Sequence, residues 1–380
     1  MKKTLVLLTL AGLLAACASS NVQPPAPLVK FTPQLRVERL WERSVGSADA
    51  ILRLGIVPAS DGTNVYAAAH DGDIYAFTLQ SGRQLWEVST DLPLSAGPGV
   101  GDGMVVVAGT DGTVLALNTT NGRKLWQTSV GGEILASPAV SQAAVIVRTT
   151  DSHIIALSSA TGQKLWNVSH ETPHLIMRGA CPPVIVGSMV LDGLDDGQLL
   201  ALNLADGSQR WLAAISTPAG SDELSRLVDL DGILAVGNNN VYAVTYQGHV
   251  ADVVRESGQI LWSREMSSYT GASEDATHVY VSDVQGTVWA LDKTTGVPVW
   301  MQPAMRARDL TVPVPYLNTG VAGDLDGYLH FLSKKDGSIV ARVSLGSDPI
   351  LAPPIVVNGV LVVLTTSGDL AAYKAVPLAH

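Results

Sequence analysis

Cysteine is almost absent from this chain of 380 residues, which contains only Cys17 and Cys181. A framework of disulfide bonds is therefore excluded as the source of stability. The chain is instead 47% hydrophobic and contains 36 glycines, with only 15% charged residues. This composition is not that of a disordered protein, and the length is ample for a large hydrophobic core. Cys181 is predicted to be a small buried residue of that core.

Positive charge is also scarce. The chain has 24 lysines and arginines against 34 aspartates and glutamates, which gives a formal net charge of −10. An acidic surface argues against nucleic acid or anionic lipid as the main partner. The eight histidines are scattered, without the spacing of a zinc site. We therefore predict no metal site and no cofactor.

Beyond the N-terminus, the chain lacks the run of about 20 apolar residues that a membrane-spanning helix needs. The best candidate, Ile355 to Leu364, is interrupted by Asn358-Gly359 and is better interpreted as a β-hairpin.

The first sixteen residues have the features of a secretory signal peptide. A basic pair precedes the apolar run Leu5 to Leu14, and the small residues Ala15 and Ala16 come directly before Cys17. This boundary resembles the lipobox of bacterial lipoproteins, in which the cysteine becomes the lipid-modified first residue. Ala and Ser follow it rather than Asp, which in lipoproteins favours export to the outer membrane. The alternative is an ordinary secretory signal with an incidental cysteine.

The rest of the chain repeats one pattern. Asp111-Gly112 is followed by a short apolar segment, then by Gly122 and, four residues later, by Trp126. Eight copies of the turn occur, and their second residues fall at positions 72, 112, 152, 197, 248, 286, 327 and 368. A period near 40 residues with several short strands is typical of a β-propeller. We predict an all-β, eight-bladed β-propeller with four antiparallel strands in each blade.

One unit shows where the strands should lie. In residues 136–169, the segments from the innermost to the outermost strand are 136–140, 144–149, 153–157 and 164–169. Asp-Gly favours tight hairpin turns because glycine accepts positive φ. The tryptophan belongs to the outermost strand, where it can bury a large apolar area against the neighbouring blade.

The ends of the repeat predict how the ring closes. Trp41 lies in a segment like an outermost strand with no blade before it, and the last unit ends after Tyr373 without one. The N-terminal strand should therefore complete the last blade. The predicted divisions are a signal peptide over 1–16, a lipidated N-terminus and proline-rich linker over 17–35, the propeller over 36–376 and a tail over 377–380.

Two consecutive units are longer than the others. The distance from the outer-strand tryptophan to the next turn is 31 residues in the fourth unit and 37 in the fifth, against 24 to 27 in most others. The extra length lies in residues 170–179 and 218–231, which connect an outer strand to the next inner strand. Both should lie on the face of the Asp-Gly turns. Two enlarged neighbouring loops on one face predict a binding patch for a protein. Tolerated insertions are the alternative.

The repeat is similar to those of pyrroloquinoline-quinone dehydrogenases and their non-enzymatic relatives. Together with the lipobox and the length, it resembles the outer-membrane-protein assembly factor B family. Residues 175–179 are similar to that family's Leu-x-Leu-Arg-Gly segment, with Met177 in place of leucine, and residues 226–231 to its Arg-Leu-x-Asp-x-Asp segment. In the family these segments contact the POTRA domains of the central barrel subunit. The resemblance thus implies partner-binding residues at Leu175, Met177, Arg178, Arg226, Asp229 and Asp231.

The function implied by the resemblance is that of a non-catalytic scaffold lipoprotein. Through Cys17 it would be anchored to the outer membrane and face the periplasm. It would bind the central subunit of the β-barrel assembly machinery and assist the folding and insertion of barrel proteins. A quinoprotein dehydrogenase is the alternative, but the chain has no adjacent cysteine pair and no cluster of metal ligands. Nascent outer-membrane proteins remain a further partner, bound by strand addition at a propeller edge.

Overall fold

The computed structural model describes residues 23–46, 55–171, 173–179 and 181–378. Within these ranges the chain forms 33 β-strands and no α-helix. The described residues accordingly offer no helix that could span a bilayer. Cys17 and the predicted signal peptide lie outside the described residues.

All but one of the strands form eight four-stranded antiparallel sheets arranged as the blades of a ring, which confirms the predicted eight-bladed propeller. The blades are numbered in chain order, and the strands of each are given from the inner to the outer one. Blade 1 comprises β3 (Ala59–Ser60), β4 (Asn64–Ala68), β5 (Asp73–Thr78) and β6 (Gln84–Ser89), and blade 2 comprises β7 (Leu94–Gly101), β8 (Met104–Gly109), β9 (Thr113–Asn118) and β10 (Lys124–Ser129). Blade 3 comprises β11 (Ala139–Val140), β12 (Ala144–Arg148), β13 (His153–Ser158) and β14 (Lys164–Ser169), and blade 4 comprises β15 (Val184–Val186), β16 (Met189–Gly193), β17 (Gln198–Asn203) and β18 (Gln209–Ala214).

The second half of the ring continues in the same way. Blade 5 comprises β19 (Ala235–Val236), β20 (Asn240–Val244), β21 (His249–Val254) and β22 (Ile260–Glu265). Blade 6 comprises β23 (Ala272–Glu274), β24 (His278–Ser282), β25 (Val288–Asp292) and β26 (Pro298–Gln302). Blade 7 comprises β27 (Val314–Tyr316), β28 (Thr319–Gly323), β29 (Tyr328–Ser333) and β30 (Ile339–Ser344).

Blade 8 is built from both ends of the chain. Its strands are β31 (Ile355–Val357), β32 (Val360–Leu364), β33 (Asp369–Pro377) and, outermost, β1 (Leu35–Ser44). β1 pairs with β33 in antiparallel register from Leu35 opposite Pro377 to Ser44 opposite Asp369. The predicted closure by the N-terminal strand is thus confirmed. The hairpin of β31 and β32, which turns at Asn358-Gly359, is also as expected.

One strand does not follow the repeat. β2 (Gly55–Ile56) joins the inner strand β7 of blade 2 in parallel, which makes a fifth strand at the centre of the ring. A Cβ on Gly55 would lie 1.9 Å from the backbone oxygen of Leu135, so only glycine fits there. A segment of two residues carries no periodicity, so the repeat pattern does not predict this strand.

Burial along a blade follows from its position between two neighbours. In blade 3 every residue of β12 is buried, because both faces of this strand pack against other blades. In the outermost strand β14 only Trp166 is buried, and the residues beside it are exposed or half-buried. The hydrophobic core therefore lies between the blades, as a series of clusters around the ring.

At seven of the eight junctions, a tryptophan of the outermost strand joins one blade to the next. Each indole N–H donates a hydrogen bond of 2.7 to 3.1 Å to a backbone carbonyl of the following blade, in the pairs Trp41–Leu79, Trp86–Thr119, Trp126–Ser159, Trp166–Leu204, Trp211–Arg255, Trp262–Lys293 and Trp300–Lys334. The same rings lie on the turn glycines of that blade, where a Cβ would come within 2.4 to 2.9 Å of the indole, at Gly82, Gly122, Gly162, Gly207, Gly258, Gly296 and Gly337. The predicted packing role of the tryptophans is confirmed.

The junction of blades 7 and 8 is different. Ala341 occupies the tryptophan position of β30, four residues after Gly337. Here the hydroxyl of buried Tyr316 donates to the carbonyl of Gly359 at 3.1 Å and accepts from the N–H of Ala375 at 2.9 Å. A tyrosine on the inner strand of blade 7 thus supplies the link that an indole supplies elsewhere.

Substituting Gly162 tests the tryptophan contact. Gly162→Ala should destabilise the protein more than Gly103→Ala, although both residues have positive φ, at +71° and +76°. Both variants incur the backbone strain of roughly 1–2 kcal/mol. Only Gly162→Ala also displaces the ring of Trp126, because nothing lies within 4 Å of a Cβ on Gly103. We expect an additional loss of about 1–3 kcal/mol, measured by thermal and denaturant unfolding. Equal stability of the two variants would contradict this role.

Candidate partner-binding surface

The two long connections lie beside each other on the face of the ring that carries the Asp-Gly turns, here called the Asp-Gly face. The first long loop, residues 170–179, runs from the outer strand of blade 3 to the inner strand of blade 4, and its Thr172 is outside the described residues. The second long loop, residues 218–231, leads from blade 4 into blade 5. As predicted from the repeat spacing, they are neighbours in the ring.

A carboxylate joins the two loops. The backbone N–H of Met177 donates a hydrogen bond to the side chain of Asp229. Close by, a Cβ on Gly179 would lie 2.9 Å from a carboxylate oxygen of Asp231, so the backbone of the first loop passes directly over this side chain. The two loops therefore form one surface rather than two independent insertions.

The second loop is fixed by apolar side chains. Leu227, Val228 and Leu230 are buried, and the N–H of Leu230 donates to the carbonyl of Leu194 in blade 4 at 3.2 Å. A Cβ on Gly193 would clash with Leu230, whose Cδ2 would lie only 2.1 Å away, so a residue without a side chain is needed at that position. The loop is thereby packed tightly against blade 4.

The tip of the second loop is a short turn. Its first residue, Asp222, accepts a hydrogen bond from the N–H of Ser225 at 2.8 Å through its side chain, a common way to stabilise a turn. The turn presents Leu224, which is 64% exposed, and the exposed Arg226.

The first loop adds a second apolar and basic pair. Leu175 is 40% exposed, and the exposed Arg178 forms an ion pair of 2.8 Å with Glu133, on the connection into blade 3. Three successive connections are thus linked on one face. The surface presents leucine side chains with arginines beside them, a combination that suits a protein interface.

The six residues implied by the resemblance differ in exposure. Leu175, Arg178 and Arg226 are exposed, while Met177 and Asp231 are half-buried. Asp229 is only 1% exposed. The structure therefore brings all six residues to one region, but it places Asp229 beneath the surface, where it holds the first loop.

A buried charged cluster lies behind these loops. Arg148, at the end of β12, donates to Asp195 at 2.6 Å and lies 3.5 Å from Asp192 of blade 4. The hydroxyl of Ser152 also donates to Asp195. Sequence reasoning missed this cluster. The only sign of the cluster in the sequence is a charged residue at or near the end of an apolar segment, which is Arg148 in one segment and Asp192 in another.

The carboxylates of this region outnumber the cations. Burial raises the pKa of Asp192 and Asp229 to about 7 each, and burial together with the neighbouring Asp229 raises the pKa of Asp231 to about 8. Burial opposes the charge of Arg148, but Asp192 and Asp195 raise its pKa above the usual range. Among the described residues, one oxygen each of Asp192, Asp229 and Asp231 is buried without a hydrogen-bond partner.

A cavity of about 380 Å³ lies at the axis of the ring, next to the two loops. Met177, Arg178 and Asp231 line it, together with residues of the other blades such as Tyr269 and Thr311. Within residues 23–46, 55–171, 173–179 and 181–378, no group of His, Cys, Asp or Glu is arranged to hold a metal ion.

The lone described cysteine belongs to the core, as expected. Cys181 is fully buried beside blade 5, and its thiol lies 3.3 Å from the carbonyl oxygen of Gly232. Burial raises the pKa of this thiol. A buried, protonated thiol is a poor nucleophile, so Cys181 is not a reactive group.

The raised pKa values predict an unusual dependence of stability on pH. A carboxyl group whose pKa is higher in the folded protein stabilises it fully below the unfolded pKa of about 3.9, and this contribution is lost as the pH rises through about 7 to 8. We expect the Tm to fall between about pH 4 and pH 8 and to level off above this range, and Asp231→Asn to flatten this fall. Glu223→Gln removes an exposed charge from the same loop and should leave the slope unchanged. Identical slopes for wild type and Asp231→Asn would contradict the assignment.

The sequence is similar to those of known proteins along nearly its whole length. A family profile described as outer membrane protein assembly factor BamB matches residues 70–302. A protein of the same description from Pseudomonas aeruginosa is 46% identical over 373 residues, which is 98% of each chain. Among solved structures, BamB from Moraxella catarrhalis superposes with a TM-score of 0.81 at 24% identity, over 89% of this chain and 100% of that chain.

The dehydrogenases are similar in fold alone. Quinohemoprotein alcohol dehydrogenase from Comamonas testosteroni has a TM-score of 0.69 at 12% identity, over 89% of this chain and 76% of that chain. The relatives that match along nearly the whole sequence are described as assembly factors, which confirms the prediction that the chain is non-catalytic. This chain belongs to the family of outer membrane protein assembly factor BamB.

Proposed function

We propose that the protein is a scaffold lipoprotein of the machinery that assembles β-barrel proteins in the outer membrane, and that its two long loops bind the POTRA domains of the central barrel subunit. Cys17 carries the lipid, and the propeller faces the periplasm. Binding to the central subunit helps to fold and insert barrel proteins. The lipid attachment is supported by the sequence around Cys17, which lies outside the described residues.

The main support for the proposal is the contact between the two long loops. The two connections that exceed the length of the repeat, into blades 4 and 5, are fastened to each other by the bond from Met177 to Asp229. Fastening reduces the conformational entropy that is lost when a partner binds. An insertion with no function would not require a buried carboxylate to hold it in place.

The chemistry of the surface indicates a protein partner. Leu175 and Leu224 are apolar side chains that a partner can cover, and Arg178 and Arg226 are cations on a chain that is acidic overall. Arginine with apolar neighbours is common at the centre of protein interfaces. The partner surface should therefore combine an apolar pocket with carboxylates.

Reversing the charge of Arg178 tests the surface directly. Arg178→Glu should weaken binding of the purified POTRA domains on the order of 10- to 100-fold, as expected when an interface arginine is lost. Arg123→Glu makes the same charge change at an exposed turn on the opposite face and should bind like the wild type. Binding can be measured by calorimetry and by co-purification from detergent-solubilised membranes. Unchanged affinity of Arg178→Glu would refute the assignment of this surface.

Asp229 should act through the loop rather than by touching the partner. Asp229→Ala removes the acceptor of the Met177 N–H, so the amide of Met177 should exchange with solvent faster while the exchange of the blade strands is unchanged. Affinity for the POTRA domains should fall in parallel, because a mobile loop must be ordered on binding. Loss of affinity with unchanged amide exchange would instead indicate direct contact by Asp229.

A further inference from the structure

The segment that precedes the propeller is attached to blade 7. The N–H of Ala26 donates to the carbonyl of Arg306 at 2.9 Å, and its carbonyl accepts from the guanidinium of Arg308, also at 2.9 Å. Arg308 is 3% exposed and is itself fixed by ion pairs of 2.6 Å with Asp324 and Asp326. A buried, doubly paired arginine is a rigid donor, so residue 26 is held at a defined place on the Asp-Gly face.

Further contacts fix the rest of this segment. Arg342 of β30 donates to the carbonyl of Val29 at 3.2 Å, and its guanidinium lies 5.1 Å from the centre of the Phe31 ring. Phe31 packs against the core cluster between blades 6 and 7. Finally, the N–H of Gln34 donates to the carbonyl of Val340 at 2.8 Å. Residues 23–34, here called the strap, thus follow the outer edge of blade 7 from the Asp-Gly face to the opposite face, where β1 begins.

We propose that the strap orients the propeller on the membrane, so that the sector of the Asp-Gly face at blade 7 lies against the bilayer surface. The proposal rests on the lipid anchor at Cys17 of the proposed function. Ala26 follows Cys17 by nine residues, and an extended chain spans at most about 3.4 Å per residue. The fixed point at Ala26 is therefore held within roughly 30 Å of the lipid.

The same geometry relates the membrane to the partner surface. The strap leaves the ring at the connection into blade 7, and the two long loops are the connections into blades 4 and 5 on the same face. The partner therefore approaches the propeller from its membrane side, two to three blades away from the lipid. The chain is acidic overall, so its net charge does not draw it to anionic lipid, and the strap sets this orientation mechanically.

Single cysteines can report the orientation in the lipidated, full-length protein. Ser347→Cys lies on the Asp-Gly face next to blade 7, Asp91→Cys on the same face at blade 2, and Lys335→Cys on the opposite face of blade 7, all at exposed positions. The native Cys181 is buried and will not react with a maleimide dye. Energy transfer to headgroup-labelled lipid in vesicles should be strongest from residue 347, weaker from residue 91 and weakest from residue 335.

Loosening the strap is the decisive comparison. Phe31→Ala combined with Arg308→Ala, which removes the donor to the carbonyl of Ala26, should remove the difference between the three positions, whereas an insertion of Gly-Ser residues between Val22 and Gln23 should lower all signals but keep their order. The order should not depend on the content of anionic lipid. Equal transfer from the three positions of the wild-type strap, with the lipid on Cys17 verified by mass spectrometry, would overturn the strap proposal. A Cys17 without lipid would instead refute the anchor in the proposed function.

Discussion

The contact of a tryptophan with a glycine of the next blade is the interaction on which the ring depends. An indole buries roughly 200 Å², which at about 25 cal/mol per Å² contributes at most about 5 kcal/mol. Its N–H adds about 1 kcal/mol through the bond to the neighbouring carbonyl. Because the glycine must leave room for the ring, as Gly162 does for Trp126, the pattern Gly-x-x-x-Trp encodes both sides of a junction. Each blade that follows the pattern receives one indole and provides another.

The exception at blades 7 and 8 follows from the closure of the chain. Blade 8 obtains its outer strand from the N-terminus, so it has no continuous turn between its last two strands that could provide a glycine for an indole. Ala341 replaces the tryptophan, and Tyr316 supplies the polar link. The apolar side chains Leu35 and Val37 of β1 cover the remaining surface. The strap leads into this junction, so attachment of the N-terminal segment and closure of the ring are one structural solution.

The sequence predicts those features that depend on local chemistry repeated many times. The Asp-Gly turns and the tryptophans of the outer strands specify the blades, and deviations of their spacing are sufficient to locate the two long loops. Features that depend on a single distant encounter are not predictable in this way. β2 has only two residues, and the contact of Arg148 with Asp195 joins positions 47 residues apart. Likewise, nothing in the segment around Asp229 indicates that its side chain points inward to Met177.

The buried carboxylates behind the loops oppose the stability that the rest of the ring achieves. Asp192, Asp229 and Asp231 each have a raised pKa because burial disfavours their charge. A core of apolar residues at these positions would in general be at least as stable. It could not, however, accept the hydrogen bond that the N–H of Met177 donates to Asp229. Where local rules and the fold disagree, the reason is usually functional. Here the buried carboxylates lie directly beneath the proposed partner surface. The regular blades leave the two long loops of that surface free to depart from the repeat.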